Sequence, residues 1–150
     1  MGKRIPLPPP RTVPLRDAVS EAYSEFQSLA EEMRDWANNM EEHFSQTDKY
    51  SRVSEAADAL EDLQEPDVPE SVADIPVTIQ DPKPQKGGYS RSFRCSQAGS
   101  ILMDCIAALE EVKNEEGVSD EKSDDADQLM SELEQHQGDS ESVDFPGMFG

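Results

Sequence analysis

Residues 15–44 read "LRDAVSEAYSEFQSLAEEMRDWANNMEEHF", and the reading of this stretch decides the fold. Apolar side chains recur at Leu15, Val19, Ala22, Phe26, Leu29, Met33, Trp36 and Met40, in alternating steps of four and three. That period belongs to a helix seam, so the stretch predicts one long amphipathic helix. Tyr23, Ala30, Ala37 and Phe44 fall on the adjoining position and widen the stripe beyond what a two-stranded rod uses. A helical bundle is expected instead. Pro14 suits the first turn, Asp17 complements the dipole there, and "SQTD" at 45–48 supplies the polar break.

Working outward, "YSRVSEAADALEDL" places Tyr50, Val53, Ala56, Ala57, Leu60 and Leu63 at helical spacing, a second and shorter helix. The short connection predicts an antiparallel hairpin over residues 15–65. Residues 66–95 follow as a Pro-rich linker, with Pro66, Pro69, Pro76, Pro82 and Pro84, and with "DIPVTIQ" at most a short edge strand. Over residues 96–136 a third helix is written in Ala98, Ile101, Leu102, Cys105, Ile106, Leu109 and Val112, with Ser96 as its N-cap and Gly117 as its stop. Ala126, Leu129, Met130 and Leu133 add a weak fourth helix of about three turns. Residues 1–14, with five prolines, Lys3, Arg4 and Arg11, read as a mobile basic arm, and residues 137–150 as an acidic tail with the aromatic tip "FPGMFG". The expected class is therefore mainly α with disordered termini.

The 150 residues carry a formal net charge of -20, which repels nucleic acid and anionic membranes. No apolar run approaches the roughly 20 residues of a membrane-spanning helix. The basic start lacks an apolar stretch behind it, so no secretory signal is expected and a cytoplasmic address follows. Cys95 and Cys105 are then expected as reduced thiols. Set ten residues apart, they point about 280° away from each other around a helix.

No nucleophile, base and orienting acid are spaced for catalysis, and "KGG" lacks the flanking residues of a phosphate loop. His43 and His136 stand alone, so neither a metal nor a cofactor is expected, nor enzymatic activity. "KPQKGGYSRSFRC" interleaves Lys83, Lys86, Arg91 and Arg94 with Tyr89 and Phe93. Such a stretch can stack bases, or close an internal clasp with residues 97–150, whose fifteen acids and two lysines sum to -13.

Two interaction readings remain. In the first, the chain is a non-enzymatic protein-interaction module whose anchors are Phe26, Trp36, Phe145, Met148 and Phe149, the last three on a flexible acidic leash whose tip either docks on another protein or folds back onto the chain's own helices. The second helix is about half as long as the first, so the seam needs either the third helix or another copy of the chain; a homodimer is expected. In the second reading, Glu21, Glu25, Glu32, Asp35 and Glu42 form rows on the first helix, with i to i+4 neighbours about 6 Å apart, near the phosphate spacing of DNA. The helix would then imitate DNA and block a host nucleic-acid-binding or defence protein.

The stretch "EFQSLAEEMRDWANNMEEHFSQTDKYSRVSEAADALEDLQEPDVPE" resembles segments of small acidic bacteriophage-encoded proteins, mostly without assigned function. The resemblance covers about residues 15–70. It implies a host-cell cytoplasmic or virion setting, with a host or virion protein as partner.

Overall fold

The computed structural model describes residues 6–44 and 47–146, apart from the side chains at 42–44. Strand β1 (Arg11–Pro14) runs directly into helix α1 (Leu15–Phe44), which is followed by α2 (Asp48–Glu61), the single turn α3 (Glu70–Ala73), strand β2 (Pro76–Ile79), α4 (Arg91–Lys113) and α5 (Asp120–Glu141). The fold is mainly helical.

Helix α1 is about 45 Å long at 1.5 Å per residue. Its seam is the centre of the core: Leu15, Val19, Ala22, Phe26, Leu29 and Met33 are all fully buried. One flank lies on α2, whose Val53, Ala56, Ala57 and Leu60 are buried against it, and the other lies on α4. Helix α2 starts after a short connection because Thr47 caps it, its side chain accepting from the Tyr50 N–H at 3.2 Å. Helix α4 runs antiparallel to α1, since Arg94 pairs with Glu25 while Arg91 pairs with Glu32. Helix α5 folds back on α4: Lys113 Nζ meets Asp127 Oδ1 at 2.6 Å near the turn, and Gly99 faces Ser140 at the far end. The seam is thus covered by the third long helix, the first of the two covers the sequence allowed. It requires no second copy.

Three boundaries differ from the sequence reading. The basic arm is partly structured: residues 11–14 pair antiparallel with residues 76–79, Arg11 opposite Ile79 and Val13 opposite Val77. Val77 and Ile79 turn inward and are buried, whereas Thr12 and Thr78 meet on the outside. The short edge strand expected in "DIPVTIQ" is thus present as β2, and its inward face, with Val72 of α3, gives the linker a part in the core. The Leu15 N–H, one of the donors a helix start leaves open, is taken by the Ile75 carbonyl at 2.8 Å. Secondly, α4 starts six residues earlier than expected. Its cap is Ser90, which accepts from the Phe93 N–H at 3.1 Å, and Ser96 is an exposed mid-helix residue. Gly87 and Gly88, at φ 86° and 83°, turn the chain into that cap.

Thirdly, α5 is a helix of 22 residues rather than three turns. Its apolar stripe of Ala126, Leu129 and Leu133 continues through His136 and Ser140, polar side chains that an apolar pattern does not count. The helix thus takes in residues 137–141 of the expected acidic tail.

Candidate protein-interaction site

The carboxylate rows of α1 are occupied from within. Glu21 accepts from Arg11 on β1, with Nη2 to Oε1 at 2.7 Å, and Arg11 also grips Asp81, with Nε to Oδ2 at 2.7 Å. Glu25 pairs with Arg94 on α4. Glu32 takes Arg94 Nη1 at 2.7 Å and Arg91 Nε at 3.1 Å. Burial works against charge on Glu32, but the hydrogen bonds from Arg94 and Arg91 prevail and hold its carboxyl below the ordinary value. Asp35 is exposed and the Glu42 side chain lies outside the described ones. Three of the five carboxylates expected to imitate phosphates are therefore neutralised by arginines of the same chain. The basic stretch does close an internal clasp, but Arg91 and Arg94 close it on α1 rather than on residues 97–150.

Trp36 sits at the edge of this clasp, half-buried, with Arg91 and Lys49 over its ring at 5.3 and 5.5 Å from the centroid. It packs against the core and is held by cations of its own chain. Phe26, expected as a partner anchor, is fully buried and meets Tyr23 edge-on at 5.7 Å; its position on the seam makes it a core residue.

The tail gives a different picture. After α5 the chain crosses the end of the bundle, where Arg52 on α2 holds Asp144, with Nε to Oδ2 at 2.7 Å. On either side of Asp144, Val143 and Phe145 turn onto the core and line a groove between α4 and α5. Ser96, Gly99 and Met103 of α4 and Ser140 of α5 form its walls. At Gly99 the helices come close, since a Cβ there would lie 3.4 Å from Ser140 Oγ. Met103 is 56 % exposed, the most exposed of the large apolar side chains among the described residues. Met148 and Phe149 lie outside the described residues.

The other reactive groups are held inert. Burial pushes the Cys95 thiol up to about 11 and the Cys105 thiol up to about 12, so neither offers a thiolate near neutrality. Cys95 Sγ donates instead to the Ser140 carbonyl at 3.6 Å. His136 is bonded through Nδ1 to the Tyr23 hydroxyl at 2.5 Å. Among the described residues no three His, Cys, Asp or Glu side chains gather to hold a metal ion, and no helix is long and apolar enough to cross a membrane.

No family model, curated protein or solved structure matches the chain. The site is thus argued from its own geometry.

Sequence reasoning missed the groove because its walls come from α4, α5 and the tail, and because serine and glycine carry no apolar signal. Of its lining, Phe145 was singled out in the sequence as an anchor; Met103 was not, although an apolar residue off the α4 stripe is a signal that could have found it.

Proposed function

We propose that the protein is a non-enzymatic protein-interaction module that engages its partner at the end of the bundle where the tail crosses α4 and α5. One observation carries this reading. With the α1 seam spent on the chain's own core, Met103 and the half-buried Phe145 flank a single groove on an otherwise strongly acidic protein. Apolar surface rimmed by polar groups is what protein contacts use, and aromatic and methionine side chains are the usual anchors. In the setting that the resemblance implies, the partner is a host or virion protein and the chain an adaptor or accessory factor.

Affinity capture from the cells that express the protein tests this, with the full chain, Met103→Glu and Phe145→Ala compared at low and at several hundred millimolar salt. A partner retained at high salt and lost with either substitution is the expected result. Binding that disappears with salt and ignores both substitutions would transfer the function to the acidic surface and overturn the proposal.

A further inference from the structure

Residues 6–11 read "PLPPPR" and lead up to and into β1. Four prolines lock φ near about −65° and keep the residue before each of them out of the helical region, so the segment winds as a polyproline helix of about three residues per turn. Such a helix has three edges, here Pro6 with Pro9, Leu7 with Pro10, and Pro8 with Arg11. Burial follows that period. Pro8 and Arg11 are half-buried, whereas Pro6, Leu7, Pro9 and Pro10 are exposed, Leu7 at 55 %. The inward edge is held at both of its positions: the Pro8 carbonyl accepts from Gln80 Nε2 at 2.7 Å, and Arg11 is fastened between Glu21 and Asp81. Two apolar edges are thus presented side by side on a segment already fixed to the fold, so covering them costs little ordering entropy.

Polyproline-binding domains receive such edges in grooves lined by aromatic rings. Charge narrows the class. Arg11, the cation next to the prolines, is spent on two carboxylates of its own chain and has no ion pair to offer an acidic groove rim. The formal net charge of -20 would repel such a rim as well. We propose that the two outward edges of residues 6–10 dock into the aromatic-lined groove of a polyproline-binding domain whose rim is neutral or basic. This goes beyond the interaction reading above and uses other residues, so either can fail alone.

The test titrates the full chain into a panel of isolated, fluorescently labelled polyproline-binding domains, some with acidic rims and some with neutral or basic ones, and reads anisotropy. Binding to members of the second group, displaced by poly-L-proline, is expected. Leu7→Ala and Pro9→Ala should each weaken it about tenfold, as truncation of an anchor does. Both side chains are exposed, so thermal unfolding of these variants should match the parent chain. Met103→Glu should bind like the parent, which separates this surface from the α4–α5 groove. Binding confined to acidic rims, binding indifferent to both substitutions, or no binding to any domain of the panel would overturn the proposal.

Discussion

The Tyr23 hydroxyl on α1 and Nδ1 of His136 on α5 share a hydrogen bond of 2.5 Å, with the two rings edge-on at 5.5 Å. This joins the first long helix to the last across 113 residues, at a point where the apolar stripe of α5 turns polar. Tyr23 is buried, so its hydroxyl has few other partners. Tyr23→Phe keeps the ring and loses the bond, at a cost of about 1 kcal/mol. That corresponds to a fall of about 2–4 °C in Tm for a chain of this size. Phe26→Ala, which empties the neighbouring core site, should cost about 3–5 kcal/mol. Thermal unfolding followed by circular dichroism ranks the two; equal losses would contradict the assignment of Phe26 to the core.

The Arg94 clasp should outweigh the other ion pairs. Arg94 is 24 % exposed and serves both Glu25 and Glu32, whereas Arg16, paired with Asp17 and Asp74, is 53 % exposed. Arg94→Gln should cost about 1 kcal/mol, and Arg16→Gln less than about 0.5 kcal/mol. Because Glu32 titrates below its ordinary value of 4.5, its contribution is complete above that pH and is lost as the pH falls through the lowered value. Denaturant midpoints measured from pH 6 downward should therefore fall less steeply in Arg94→Gln than in the parent chain. Parallel curves would show that the clasp contributes nothing.

The thiols set an alkaline limit. Cys95 and Cys105 are raised from 9.0 to about 11 and about 12 by burial, so the stability they contribute is complete below pH 9 and is lost as the pH rises towards those values. Burial also raises the Tyr23 hydroxyl above its ordinary value of 10.0, which adds to the loss. Native protein at pH 8 should react with a thiol reagent only as fast as it unfolds. The double variant Cys95→Ala, Cys105→Ala should show a shallower loss of denaturant midpoint between pH 9 and 11. Rapid modification of both thiols at pH 8 would contradict their burial.

Gly138 lies inside α5 with nothing within 4 Å of where a Cβ would stand. Gly138→Ala should stabilise the protein by about 0.5–1 kcal/mol, since glycine is the less favourable residue in a helix interior and no neighbour has to move. An unchanged or lower Tm would mean that α5 is not helical through residue 138.

The period of residues 15–44 determined the long helix Leu15–Phe44, because local spacing suffices for such an element, although its first N–H is satisfied by the distant Ile75 carbonyl. Helix α2 and the body of α4 were legible on the same grounds. Tertiary structure decided the rest. The pairing of residues 11–14 with residues 76–79 joins two Pro-containing segments more than 60 residues apart, and strand pairing is not encoded in either segment alone. Helix α5 extends through His136 and Ser140 because Tyr23 and the close approach at Gly99 give those polar residues a place inside. The acidic rows of α1 were visible in the sequence, but their neutralisation was not, since Arg11, Arg91 and Arg94 come from distant elements. An amphipathic period fixes which face of a helix is buried; what covers that face, and which surface remains free for another molecule, is fixed only when the elements pack.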